Sequence, residues 1–342
     1  MKKKTLYIVT LEPIEKRYTK QWYQSWKKEF SKYFDVKYID GKIIDDKIDK
    51  GRFLDINKTN IWKSEQSYKI SKLFNEGKIK KGDKFLFMDG WHFGITALKY
   101  MSQLNNIPVK IYAYWHAGTW DKWDFISQAG LNKWASYNEA GWINAVDGNF
   151  VSTQFHKTLM VSYFGKDISS NRIHVVGFPM DWEKEIKKRI GKYKTEKRNL
   201  IVFPHRVDKE KQPNVFNKLK KQFPNYEFIT TIEVTKNKED YYKLLAEAKV
   251  VFSASLQETF GIGTVEAMCL GAIPVVPNRL SYIELYDELF KYNDMYEAKN
   301  MIKHFIDNYY DKTLQIKLRK NKRYIINQSF DSITKMAKLM QG

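Results

Sequence analysis

The chain has 342 residues, 43% hydrophobic and 15% aromatic, enough to build a real core and to argue against disorder. Lys and Arg number 59 against 39 Asp and Glu, a formal charge of +20 that points to a polyanionic partner such as nucleic acid, an acidic membrane surface or an anionic polymer. The single cysteine, Cys269, excludes a disulfide framework and a cysteine-rich zinc site, and no stretch approaches the roughly 18 uncharged apolar residues of a membrane span.

Behind Lys2–Lys4, the run from Leu6 to Thr10 reads as a first β-strand and is too short for a signal peptide, so a cytoplasmic protein is expected. Thr19 is placed to cap a helix from about Lys20 to Phe34, with Trp22, Trp26 and Phe30 on one face. Val36–Ile39 reads as a strand, Ser64–Glu76 as a helix, and Lys84–Met88 and Val109–Trp115 as strands. Phe150–Ser152 is a strand, Thr153–Phe164 a helix, and Ile173–Val176 a strand leading into Gly177-Phe178-Pro179. Strands alternating with helices argue for parallel βαβ units in a doubly wound sheet. Residues 181–199 are polar and basic and read as an inter-domain linker holding one helix. The alternation resumes with strands Leu200–Pro204 and Glu227–Thr231, helix Lys238–Ala248, strand Val250–Ala254, helix Gly263–Leu270 and strand Ile273–Val276. The expected division is 1–180, linker 181–199, 200–300, and C-terminal helices over 301–342.

The positive charge is densest over Lys184–Arg198 and Lys312–Arg323. It comes from 50 lysines and nine arginines, and arginine is the better bidentate reader of phosphate. The charge therefore fits either a polyanion contact or a solvated lysine-rich surface.

The most informative block runs from Ser253 to Pro277. A strand ends near Ala254, a glycine-containing loop follows, and a helix starts near Gly263. Backbone N–H groups at such a helix start form a ready site for phosphate or sugar hydroxyls. Glu258 before the helix can accept hydrogen bonds from sugar hydroxyls, and Glu266, expected in the first helical turn, can reach a ribose. The two glutamates have seven residues between them, with Thr259-Phe260-Gly261 after the first, Glu266-Ala-Met at the second, and Gly271-Ala-Ile-Pro274-Val-Val beyond. This block resembles the corresponding motif of retaining glycosyltransferases of the GT-B fold, especially glycosyltransferase family 4. Arg206 and Lys211, five apart after the first strand of the second domain, resemble the family's basic pair that holds the donor diphosphate.

The resemblance implies an α/β GT-B fold: two Rossmann-like domains facing a central cleft, with C-terminal helices crossing back to the first. It implies a nucleotide-sugar donor, UDP-linked, and retention of anomeric configuration. Donor contacts would come from Arg206, Lys211, Glu258, Thr259, Phe260, Gly261, Thr264 and Glu266. The Asp-x-Asp arrangement that holds a metal–diphosphate in other glycosyltransferases is absent, so no metal is expected. His116, after the strand ending near Trp115, takes the place of a family histidine that approaches the transferred sugar and joins Glu258, Arg206 and Lys211 as a catalytic candidate. The family's Gly-Gly turn after the first strand is missing here, where Glu12 to Thr19 stand instead, and Arg17 or Tyr18 could substitute for it.

On the acceptor side, Arg17, Tyr18, Asp89, Trp91 and Trp120 are the candidates, in loops that follow parallel strands. Trp115, Trp120, Trp123, Trp134 and Trp142 crowd one stretch and suit either a core or rings that stack on sugars or an extruded base. His92 reads as a structural histidine. The segments Ile14–Trp22, Asp89–Gly94 and Trp134–Trp142 look similar to phage-type glycosyltransferases that decorate hydroxymethylated pyrimidines in DNA. That resemblance implies a double-stranded DNA acceptor and a phage-encoded protein in the bacterial cytoplasm. The alternatives are a glycosyltransferase acting on a cell-envelope precursor or tRNA, and a non-catalytic nucleic-acid-binding protein on a GT-B scaffold.

Overall fold

The computed structural model of the chain describes residues 3–15, 17–43 and 55–342, so Lys2 of the N-terminal lysines and Lys16 of the 14–22 segment lie outside the described residues. The elements follow in order as β1 (Thr5–Val9), α1 (Tyr18–Phe30), β2 (Asp35–Ile39), α2 (Ile56–Asn75), β3 (Lys84–Phe87), α3 (Gly94–Leu104), β4 (Lys110–Tyr114), α4 (Phe125–Gln128), α5 (Asn132–Ala145), β5 (Gly148–Val151), α6 (Gln154–Phe164) and β6 (Ile173–Val175). Then come α7 (Trp182–Ile190), β7 (Arg198–Phe203), α8 (Pro213–Lys220), β8 (Glu227–Thr230), α9 (Thr231–Val234), α10 (Lys238–Glu247), β9 (Ala248–Phe252), α11 (Ile262–Cys269), β10 (Ile273–Pro277), α12 (Tyr282–Leu285), β11 (Lys291–Tyr292), α13 (Met295–Asp307), α14 (Lys312–Phe330) and α15 (Ser332–Gln341).

The chain divides into two units, residues 1–179 with 331–342, and residues 180–330. Each is a doubly wound α/β layer structure. Among the described residues the first holds a six-stranded sheet in the order β2-β1-β3-β4-β5-β6, the second a five-stranded sheet in the order β11-β10-β9-β7-β8. Every pairing is parallel. Parallel strands are covered on both faces by their crossover helices, so they read as unbroken apolar runs rather than alternating ones. Leu6 to Val9, Phe85 to Phe87 and Leu200 to Phe203 are all buried. Trp22 and Trp26 of α1 stack with ring centroids 4.5 Å apart, and Trp22 meets Tyr114 of β4 edge-on at 5.2 Å.

The division departs from the sequence expectation at two places. The stretch expected as a linker contains α7, whose Ile186 packs into the core of the second unit with Leu200, Val202 and Val251. Of the C-terminal helices, α13 and α14 stay with the second unit, and only α15 groups with the first, where Thr334 meets Tyr33 at 3.1 Å. Thr19 does not cap α1; the cap position is Arg17, and the Thr19 hydroxyl accepts from the Ile14 N–H instead. Helix α2 begins before the expected stretch, at Ile56, because the Asp55 carboxylate accepts from Lys58 N at 3.1 Å.

In both sheets the strand order reverses once. In the first unit β1 lies between β2 and β3, and in the second β7 lies between β8 and β9. The loops after such a strand and its neighbour diverge to opposite faces and leave a crevice at the strands' carboxyl ends, where ligands bind in open α/β sheets. Those loops are 10–15 with Arg17 after β1, 88–93 after β3, 204–212 after β7 and 253–261 after β9.

The loop after β4 is held from beneath by a buried acid. Glu139 of α5 accepts from Thr119 N at 3.0 Å and from the Trp91 indole at 2.9 Å. Burial pushes its carboxyl up to about 7, against the pull of those donors. The folded chain thus keeps a proton that the unfolded chain releases near the ordinary carboxylate value. The stability contributed this way is complete below the unfolded value and is lost as pH rises through about 7. Thermal melts from about pH 5 to about pH 8 are expected to show Tm falling, and Glu139→Gln should flatten the fall. An unchanged slope in the variant would remove Glu139 as its source.

Candidate active site

In the second unit, the two loops at the strand reversal are tied together by charge. Lys211, at the end of the loop after β7, reaches across to the loop after β9. Its ammonium donates to the Gln257 carbonyl at 2.6 Å and to Glu258 Oε2 at 3.1 Å. The other carboxylate oxygen of Glu258 accepts from Gly261 N at 2.9 Å. Burial opposes the charge on Glu258, but Lys211 and these hydrogen bonds outweigh it and hold the carboxyl below its usual range. Leu256 N donates to Glu210 O at 2.7 Å, a third link between the loops.

Arg206 lies in the same loop as Lys211 and is about one-third exposed. It pairs with Asp208 at 2.8 Å and Glu210 at 3.0 Å. His205 beside it is 7% exposed, and burial together with the Lys211 charge pushes its imidazole down to about 3, so it is neutral.

The glycines of this loop are required by geometry. Gly261 has φ +85°, a left-handed conformation that a side chain resists. At Gly263 a Cβ would sit 2.7 Å from the Pro204 carbonyl oxygen, so the absence of a side chain lets α11 start directly against the end of β7. The first N–H groups of α11 have no carbonyl partner within the helix, and the helix follows directly on the loop that carries Glu258.

Several expected donor residues take other places. Phe260 is 2% exposed and stacks parallel to Trp182 of α7 at 6.1 Å, so it anchors the loop rather than lining an open surface. Thr264 is buried beside the Tyr282 hydroxyl. Thr259 stays half-buried. Glu266 lies in the second turn of α11, not the first, because the helix begins at Ile262. It is 1% exposed, and both its oxygens are engaged, by Lys238 at 2.6 Å, Tyr242 at 2.9 Å and Tyr241 at 2.9 Å. Sequence reasoning missed these three partners. It also missed Arg279, which clamps the loop after β9 by donating to the carbonyls of Ala254 at 2.8 Å and Ser255 at 3.0 Å. All four come from elements distant in sequence, and nothing local marks them.

In the first unit, Arg17 and Asp89 come together at a cavity of about 50 Å³ at the ends of β1 and β3. Tyr18 turns to His116 instead, its hydroxyl 3.2 Å from Nδ1, and packs on Trp22 and Phe178. The other ring nitrogen of His116 lies 2.9 Å from the Met88 carbonyl, which can only accept, so Nε2 carries the proton and Nδ1 accepts from Tyr18. Burial holds the His116 pKa below its ordinary value, partly countered by Asp89. Trp91 is fixed by its indole bond to Glu139 and by edge contact with Trp142 at 5.2 Å. Trp120 is a correction: it is 4% exposed, wedged edge-on between Trp115 and Phe164, and cannot stack on an acceptor. Trp115 and Trp142 belong to the same core, while Trp134 is exposed. His92 is structural, its ring nitrogens engaged by Gln66 at 3.1 Å and Gly94 N at 2.9 Å.

Residues 212–323, which carry both glutamates, match the family model of group 1 glycosyl transferases. The sucrose-phosphate synthase of Thermosynechococcus elongatus superposes over 99% of this chain and 98% of its own, with TM-score 0.68 and 13% identity. The chain has the GT-B glycosyltransferase fold. A second GT-B structure, a mutant of S. aureus TarM solved with fondaparinux, alpha-GlcNAc-glycerol and UDP, matches 85% of this chain and 61% of its own at TM-score 0.55 and 16% identity. At such identities the likeness is one of fold. A tRNA-queuosine alpha-mannosyltransferase of Drosophila melanogaster is 38% identical over 56 residues, 16% of this chain, and the match spans 15% of that relative's length. Among the described residues no helix of this GT-B chain is long and apolar enough to cross a membrane.

The contact at Gly263 is directly testable. Gly263→Ala should push α11 away from Pro204 and destabilise the second unit by about 1–3 kcal/mol, the usual cost of overpacking. Denaturant unfolding followed by tryptophan fluorescence measures this. A variant as stable as the parent would show that the close approach is not needed.

Proposed function

We propose that the chain is a retaining glycosyltransferase that moves a sugar from a UDP-linked donor to an acceptor hydroxyl. The observation that carries this reading is the meeting of Lys211 and Glu258 from two loops at the strand reversal of the second unit, beside the start of α11. Without donor, the two basic groups of the site are neutralised by acids, Lys211 by Glu258 and Arg206 by Asp208 and Glu210. A diphosphate supplies a stronger counter-charge. Lys211 then turns from Glu258 to the phosphate, and the Glu258 oxygen it leaves accepts a hydroxyl of the donor sugar. The Gly261 N–H keeps the other Glu258 oxygen in place during that exchange.

In this reading the bond from the sugar's anomeric carbon to the diphosphate breaks as the acceptor oxygen bonds to the same face. The acceptor's proton passes to the leaving phosphate oxygen, and no enzymatic nucleophile is used. Arg206, Lys211 and the N–H groups of α11 stabilise the charge that grows on the diphosphate, the role a metal ion has elsewhere. The UDP in the TarM structure supports the donor assignment. His116, neutral and with both ring nitrogens engaged, serves as a positioning group that orients Tyr18.

For the acceptor, the +20 charge favours a polynucleotide. The local sequence resemblance points to hydroxymethylated pyrimidines in DNA. The 56-residue match to a tRNA mannosyltransferase favours a second reading, a tRNA acceptor. Incubation with UDP-sugars and either hydroxymethylated DNA, plain DNA or tRNA, followed by digestion to nucleosides and mass measurement, separates these. Sugar on neither nucleic acid, together with transfer to a lipid-linked acceptor, would replace both by the envelope enzyme.

Arg206→Ala and Lys211→Ala should each lower turnover about 10²–10³-fold, the typical loss for one preorganised donor at a developing anion. Lys211 is buried and its removal leaves Glu258 unpaired, so thermal melts accompany the assay. Where Lys211→Ala lowers Tm, the more exposed Arg206 carries the test. Turnover near that of the parent in Arg206→Ala would sink the diphosphate assignment.

A further inference from the structure

The two stretches where positive charge is densest, 184–198 and 312–323, lie far apart in the chain, and the fold brings their helices together. Both α7 and α14 pack on α11. Lys322 of α14 joins all three. It pairs with Glu183 of α7 at 3.6 Å and donates to the Cys269 carbonyl, at the end of α11, at 3.0 Å.

Helix α14 carries six basic residues and no acidic one. Its buried row is Leu314, Leu318, Asn321, Ile325 and Ser329. At the helical period the side facing away from that row holds Lys312, Arg319, Lys320 and Arg323, all exposed. On the flanks Lys322 meets Glu183, and Lys317 meets Asp287 at 3.4 Å. The four outward cations form no ion pair among the described residues. In α7 Trp182, Glu185 and Ile186 are buried, while Lys184, Lys187 and Lys188 are exposed. Of its two acids, Glu185 is thus inside and Glu183 is held by Lys322. The outer faces of both helices therefore show one sign of charge. A solvated surface usually intersperses both signs, as at β7, where Arg198 pairs with Glu227 and Glu247.

The chemistry of this face favours a phosphodiester backbone. Two of the nine arginines, Arg319 and Arg323, stand one helical turn apart on it, and arginine's planar fork fits a phosphate. A lipid surface suits it less well. An interfacial helix binds by inserting its apolar face, and α14 has turned that face onto α11 and α12. What remains apolar and exposed is Ile316, Tyr324 and Phe330, spread along the helix. We propose that the outward sides of α14 and α7 form a docking surface for the phosphodiester backbone of the polynucleotide acceptor, separate from the site of transfer. Helix α11 has the candidate active site at its start and Lys322 at its end, roughly 10 Å further on. Phosphate contacts of this kind position a nucleic acid without reading its sequence. The proposal rests on the polynucleotide reading of the acceptor.

The test measures the anisotropy of a fluorescein-labelled DNA duplex, and of labelled tRNA, with full-length protein between about 50 and 200 mM salt. The triple variant Arg319→Gln/Lys320→Gln/Arg323→Gln is compared with Lys218→Gln/Lys220→Gln/Lys221→Gln, which removes the same charge from exposed lysines in and after α8 of the same unit. Neutralising α14 should flatten the slope of log affinity against log salt by about 0.9 per lost duplex contact, up to about 2.7 in all. The α8 variant should keep the parent's slope. The same contrast on tRNA alone supports the surface and assigns the backbone to RNA. Glutamine is a good helix former, so both triples should melt with the parent. If the α14 triple does not, Arg323→Gln alone carries the comparison, with a change of about 0.9. Equal losses in the two triples would overturn the proposal, as would a parent that binds neither nucleic acid, or one that binds only phosphatidylserine vesicles. Calorimetric titration with UDP should be unchanged in both triples. Nucleic acid held through α14 by a protein that transfers no sugar to it refutes the acceptor reading alone. Sugar transferred to nucleic acid with the same KM by parent and α14 triple refutes the docking surface alone.

Discussion

The second unit depends on one ion pair. Lys211 and Glu258 sit on loops that leave β7 and β9 toward opposite faces of the sheet, and nothing in strand pairing holds those loops together. The pair does so, aided by Lys211's bond to the Gln257 carbonyl and by Arg279 from beyond β10. Both partners are largely withdrawn from solvent, so the contact carries a desolvation cost and breaking it by removing one side typically costs about 3–5 kcal/mol. Such a pair is a poor choice for stability alone. Under the proposed function it is a charge reserved for exchange: a cation kept in place, ready to leave its acid for a more strongly charged diphosphate.

The first unit solves a related problem with neutral groups. Its loops after β1 and β3 also diverge at a strand reversal, and there the tie is made by Gln66 and Trp62 through hydrogen bonds to the Thr10 carbonyl and by His92 through its ring's bond to the Gln66 side chain. Because the frame is uncharged, Lys63, Arg17, Glu12 and Asp89 remain to face the cavity. The two units thus share one topology but differ in what occupies the crevice, a cation-rich loop against the start of a helix in one and a small cavity in the other. The overall +20 charge is a property of the surface and does not describe either site.

Much of the architecture was legible because parallel strands leave an unmistakable trace. Leu200 to Phe203 and Phe85 to Met88 are apolar runs with polar turns behind them, which is what burial on both sheet faces demands. Helices were less legible where their starts carry no side-chain cap. α3 begins at Gly94 behind Phe93, and α5 at Asn132 behind Leu131, neither with a capping side chain, and no expectation was formed for either. Trp120 was misread because an aromatic in a loop after a strand looks available, whereas Gly118 leaves the space into which its ring folds. Glu266 was placed a turn too early because a glycine-rich loop hides where the helix begins.

What the sequence by itself determined is local and compositional: two series of alternating strands and helices, the glycines at 261 and 263, and the presence of Arg206, Lys211, Glu258 and Glu266 at their spacings. These are legible because each is imposed over a few residues, by periodicity, by a left-handed φ, or by the need to start a helix beside a strand. Tertiary structure alone decided the partners. That Lys238, Tyr241 and Tyr242 close over Glu266, that Arg279 holds the loop after β9, and that Lys63 of α2 meets Asp89 and Glu12 depends on which strands lie side by side. Strand order is set by the packing of whole crossover units, and no short window of sequence encodes it.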